Sequence, residues 1–155
     1  MVEERQKIRV LIADQQPVFR QGIRSFLNQI ADIDVCGEVG SSSELMSAID
    51  ILYPDVALVD TELSKEDYVD IAKTVKQLKP SVAVILLSRQ PNDDELFQAI
   101  KARATGYLRR GLSSDELVAQ TLGCADSGRV LRKSVHGGFQ QAINSSYNLV
   151  LGHIR

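Results

Sequence analysis

The chain has 155 residues, 44% hydrophobic and 25% charged, with a net charge of −2 at neutral pH. That is enough apolar material for one domain with its own core, and no disulfide or metal staple is needed at this length. Met1 to Lys7 is polar, without a signal-peptide core, and no apolar run approaches a membrane span, so a cytoplasmic protein without membrane contact is expected.

The small net charge hides an uneven distribution. Residues 32 to 70 hold eleven Asp and Glu against one Lys, whereas residues 101 to 133 hold seven Lys and Arg against three acids. The acidic stretch repels phosphate backbones and the basic one is too thinly spread for a nucleic-acid footprint, so the chain alone is not expected to bind nucleic acid. Cys36 and Cys124 sit in apolar patterns without metal-ligand spacing and read as small core residues of a reducing compartment.

Strand and helix patterns alternate every twenty to thirty residues, the rhythm of a parallel sheet with crossover helices. Ile8 to Ala13 is the first strand. Phe19, Ile23, Phe26, Leu27 and Ile30 then recur at helical spacing behind Pro17, which suits a first turn. Ile33, Val35 and Val39 alternate as a strand, and Ser41 with Glu44 makes a capping box before Leu45, Ala48, Ile49 and Leu52. The third strand carries the apolar run Val56 to Val59 and ends at Asp60, followed by a helix on Tyr68, Ile71, Ala72, Val75 and Leu78 that stops near Pro80. The fourth carries the apolar run Val82 to Leu87 and ends at Ser88, and Asn92 with Glu95 caps a helix carrying Leu96, Phe97 and Ile100. The fifth strand is short, Tyr107 to Arg109. Ser113 and Glu116 cap a last amphipathic helix through Leu117, Val118, Thr121, Leu122 and Ala125. Beyond Ser127 the pattern weakens at Gly128, Gly137 and Gly138, with short helices expected around 139–143 and 149–154. The fold class is therefore α/β: a flavodoxin-like, doubly wound, five-stranded parallel sheet with helices on both faces.

In such a sheet Asp14, Asp60 and Ser88, each just after an apolar run, meet at the carboxyl edge where open α/β sheets bind ligands. Two carboxylates and a hydroxyl in one crevice suggest cation and phosphoryl chemistry. Asp60 alone reads equally as a turn or cap residue, and Tyr107 as a half-buried strand aromatic. His136 and His153 have no ligand cluster or nucleophile nearby and are read as incidental.

The motifs Ile8-Arg9-Val10-Leu11-Ile12-Ala13-Asp14 with Pro17-Val18-Phe19-Arg20, Pro54 to Asp60, Val84 to Ser88, and Ala104-Thr105-Gly106-Tyr107-Leu108 resemble a response regulator receiver domain. The subclass is the one usually followed by a helix-turn-helix output domain. The resemblance covers residues 7 to about 126. It makes 1–126 a receiver (response regulatory) domain and 127–155 a C-terminal extension or linker, partly helical.

The resemblance implies that Asp60 is the phosphoacceptor, that Asp14, Asp60 and Glu62 face a Mg²⁺ ion, and that Ser88 contacts the phosphoryl group. It places Arg110 on the family's lysine and Tyr107 on the aromatic switch that turns inward on activation. It further implies a sensor histidine kinase as partner, transcription regulation as output and no enzyme activity. A homodimer is expected through the fourth helix, fifth strand and fifth helix.

Five positions depart from the pattern around this one pocket. Gln15 replaces the second acid, Arg110 the lysine, and Arg89 a small residue beside the hydroxyl; Ser64 and Tyr68 replace a loop Pro and Gly. Asp14, Asp60, Arg89 and Arg110 sum to zero formal charge, where the family pattern leaves the pocket negative. At about 4 Å and an effective dielectric near 20, each opposed pair is worth on the order of 4 kcal/mol before desolvation. Mg²⁺ binding is therefore expected to be weak or absent, with an Arg salt bridge in its place; the alternative is Arg89 in solvent beside Glu62. Two rival functions follow from the same residues: a pseudo-receiver that is never phosphorylated and works as a protein-interaction module, and a phosphatase-like hydrolase using Asp60 as nucleophile. The hydrolase reading lacks the second Asp in Asp60-Thr61-Glu62 and a cap domain.

Overall fold

The computed structural model describes residues 6–64 and 67–133, with side chains described to Asp126. Five strands, β1 (Ile8–Ala13), β2 (Ile33–Val39), β3 (Val56–Asp60), β4 (Ala83–Ser88) and β5 (Gly106–Arg109), form one sheet in the order β2-β1-β3-β4-β5. Every neighbouring pair is parallel. The helices α1 (Pro17–Leu27), α2 (Ser42–Leu52), α3 (Tyr68–Leu78), α4 (Asp93–Lys101) and α5 (Ser114–Lys133) alternate with them.

Helices cover both faces, so β3 and β4 are buried at every residue and read as unbroken apolar runs. On one face Leu11, Ala57, Val59, Val84 and Leu86 pack with Leu45, Ile49, Ala72, Val75 and Leu96 from α2, α3 and α4. On the other, Val10, Ile12, Val56, Leu58, Ile85 and Leu87 pack with Ile23, Leu27, Leu117 and Cys124 from α1 and α5. Gly106 permits that second contact: a Cβ there would lie 3.2 Å from Cys124 Sγ and 3.3 Å from Ile85 Cγ1.

The capping residues act as expected: the side chains of Ser41, Asn92 and Ser113 accept from the backbone N–H groups of Glu44, Glu95 and Glu116. Asp60 and Ser88 close β3 and β4 as expected, while β4 starts one residue later than its apolar run and β5 one residue earlier, at Gly106. Strand pairing decides both ends, since Asp60 sits opposite Leu87 and Ser88 opposite Arg109. The last helix continues to Lys133, so the boundary expected at 126 falls inside α5. A lone glycine such as Gly128 costs a helix only about 1 kcal/mol against alanine, too little to end it. The helices expected at 139–143 and 149–154, and both histidines, lie outside the described residues. Among the described residues no helix is long and apolar enough to cross a membrane.

Candidate functional site

The chain winds outward in opposite directions from β1, to β2 on one side and β3 on the other, and the crevice opens where the direction changes. Asp14 just past β1, Asp60 ending β3 and Ser88 ending β4 all stand at that edge, each no more than 2% exposed. The structure thus brings together the three polar residues picked out by their position behind apolar runs.

Each carboxylate is held by an arginine. Asp14 accepts from the Gln16 backbone N–H at 2.8 Å and, with both oxygens, from Arg110 Nη2 at 3.2 and 3.1 Å. Burial still pushes the Asp14 carboxyl above the usual carboxylate range; the charge of Asp60 adds to this and the Gln16 and Arg110 donors oppose it. Asp60 accepts from the Glu62 N–H at 3.1 Å through Oδ1 and from Arg89 Nη2 at 3.1 Å through Oδ2. Arg89 Nε reaches Glu62 Oε2 at 2.9 Å. The two placements expected for Arg89, over the acceptor or beside Glu62, are therefore occupied by one side chain at once.

Arg110 lies on Asp14. The Phe19 ring supports it, 3.7 Å from the guanidinium carbon, and Gln16 Oε1 accepts from Nη2 at 2.7 Å. Its Nε is buried without a hydrogen-bond partner. Gln15 is exposed and donates its amide to the Leu63 carbonyl at 2.6 Å, tying the β1–α1 loop to the β3–α3 loop. Arg20 Nη1 donates to the Asp14 carbonyl at 2.6 Å, bracing the end of β1.

The residues expected to face Mg²⁺ do not suit it. A hard cation wants several unengaged oxygens. Asp14, Asp60 and Glu62 each accept from a guanidinium, and among the described residues no three His, Cys, Asp or Glu side chains converge to hold a metal.

Beyond the crevice, Tyr107 on β5 meets the start of α4: its hydroxyl donates to Glu95 Oε1 at 2.6 Å and accepts from the Asn92 N–H at 3.3 Å. The ring is buried, and burial followed by the Glu95 carboxylate drives its hydroxyl pKa upward. Tyr68, in the loop glycine's place, is half-buried near Glu95 and pushed up to about 12, first by desolvation.

Asn92 and Glu95 have capping-box spacing, in which the glutamate would return to the Asn92 N–H. Here the tyrosine hydroxyl is inserted between them. The sequence shows Glu95 as a cap partner but not what β5 sets against it. Gln16 and Phe19 were likewise not legible as supports for Arg110, since that contact joins residues far apart in the chain.

The sequence profile of the response regulator receiver domain matches residues 10–121. The chain belongs to that family. Over 112 residues it is 31% identical to the uncharacterized transcriptional regulatory protein YxjL of Bacillus subtilis, covering 72% of this chain and 51% of YxjL. It thus spans about half the length of that relative. The signal receiver domain of the putative response regulator NarL from Mycobacterium tuberculosis superposes with a TM-score of 0.74 at 29% identity, covering 78% of this chain and 98% of that one. RcsB from Salmonella enterica serovar Typhimurium, bound to promoter rprA in the presence of phosphomimetic BeF3−, gives 0.69 at 27% identity, covering 86% of this chain and 69% of that one. The receiver fold expected from the motifs is the fold observed.

Proposed function

We propose that this receiver takes up a phosphoryl group on Asp60 from a sensor histidine kinase and passes the change to α4 and β5. The carrying observation is the convergence of buried Asp60 and Ser88 at the crevice, with Arg89 already donating to Asp60. In the transfer one carboxylate oxygen of Asp60 bonds to phosphorus, the P–N bond of a phosphohistidine breaks, and the electron pair leaves with the imidazole. Arg89 and the Ser88 hydroxyl donate to the new phosphoryl oxygens. Tyr107, bonded to Asn92 and Glu95 at the start of α4, is the residue through which the change passes from β5 to that helix. The group is held as a signal rather than turned over, which is the sense in which the chain is no enzyme.

A cytoplasmic location and a transcriptional output agree with this reading. RcsB pairs a phosphomimetic with promoter binding, and the regulators matched here are longer than this chain. Duplex binding is assigned to another part of such a protein. The homodimer is assigned to the face of α4, β5 and α5, which carries the exposed Lys101, Arg103, Arg109 and Asp115 as mixed charge.

The test is intact mass after incubation with a small acyl phosphate. One phosphoryl group on the unmodified protein and none on Asp60→Asn is the expected result; equal uptake by both would place the acceptor elsewhere.

A further inference from the structure

We infer that the crevice neutralises a phosphoryl group on Asp60 with the two guanidinium groups of Arg89 and Arg110, without a divalent cation; this rests on Asp60 being the phosphoacceptor. The family chemistry needs positive charge to bring a carboxylate and a phosphoryl group together. Here that charge is supplied by the chain. Asp14, Asp60 and Glu62 carry three negative charges against two positive ones on Arg89 and Arg110, and every one of those carboxylates already accepts from a guanidinium. A cation entering the crevice would have to displace an arginine and then sit beside it.

Both arginines are suited to the exchange. Arg89 is about one-third exposed and divides its fork between Asp60, which is fully buried, and Glu62, which is 61% exposed. Letting go of Glu62 returns a carboxylate to water and costs little, so the guanidinium is free to follow the oxygens added at Asp60. Arg110 is fixed in plane by Phe19 and Gln16, yet keeps a buried Nε–H without an acceptor. A buried donor lacking a partner favours any acceptor that reaches it. Phosphoryl oxygens are such acceptors, and guanidinium groups match them in shape and charge.

With an acyl phosphate as donor, an Asp60 oxygen bonds to phosphorus and the bond from phosphorus to the acyl oxygen breaks. The carboxylate leaves with the electron pair, and no proton or metal is consumed. Labelling followed by intact mass should run equally fast in excess EDTA and in Mg²⁺. Arg89→Ala should slow the EDTA reaction by about tenfold or more, toward the loss seen on removing an oxyanion donor, while Arg89→Lys retains part of it.

An independent readout is Mg²⁺ titration followed by backbone amide shifts. The unmodified chain should show no saturable binding, and Gln15→Asp with Arg89→Ala should gain it. Labelling that stops in EDTA overturns this inference and leaves Asp60 as acceptor. Mg²⁺ binding by the unmodified chain as tight as by the double variant overturns it whatever the labelling. No uptake in either medium removes the acceptor assignment itself, and this inference with it.

Discussion

Asp14 is a residue the fold would rather see uncharged. Its carboxyl is raised above 3.8, first by burial, so the native state holds a proton at pH values where the unfolded chain has released it. Stability from this group is therefore largest below 3.8 and declines as pH rises through the native value. Asp14→Asn is expected to melt higher than the parent at neutral pH, the gap narrowing as pH falls toward 3.8. The gain is limited, because Arg110 then loses a charged partner and is left on Gln16 and Phe19. A variant that melts lower at neutral pH would mean the Arg110 pair outweighs the desolvation of Asp14. Functional carboxylates kept at such a cost are common, since a pocket built to meet charge is poorly solvated until that charge arrives.

At the scale of elements, α4 ends with two bonds of a Schellman turn, Ala104 N–H to the Ala99 carbonyl and Arg103 N–H to Ile100. Arg103 occupies the left-handed position at φ 64°, where glycine is usual, and its side chain is exposed. Arg103→Gly should therefore stabilise the domain by about 0.5–1 kcal/mol in urea denaturation, the steric cost of a Cβ there. Most elements were legible because β1, β3 and β4 are covered on both faces, which leaves a continuous apolar run in the sequence. The end of β4 at Ser88 was legible too, and its pairing opposite Arg109 is what holds the hydroxyl at the sheet edge. The crevice was legible in its three polar residues, which follow such runs. The partners of Arg110 and Glu95 were not, because periodicity within an element says nothing about which side chains meet across the crevice.

Over the whole molecule, a mixed-charge face and an acidic region are set apart. Association through α4, β5 and α5 is predicted to weaken in Lys101→Glu with Arg109→Glu, seen as a shift toward monomer in sedimentation. An unchanged dimer would move the interface elsewhere. The tyrosine set into the Asn92–Glu95 cap ties β5 to the start of α4. If the ring leaves, Asn92 loses its acceptor and Glu95 its donor in one event, and the glutamate is then spaced to take the Asn92 N–H itself. The first turn of α4 has two closures available and need not melt to pass from one to the other. Tyr107→Phe should accordingly leave amide exchange in that turn near the parent value, whereas Tyr107→Phe with Glu95→Ala, which removes both acceptors, should let it fray. Trading one latch for the other would leave the start of α4 intact whether the ring is in or out.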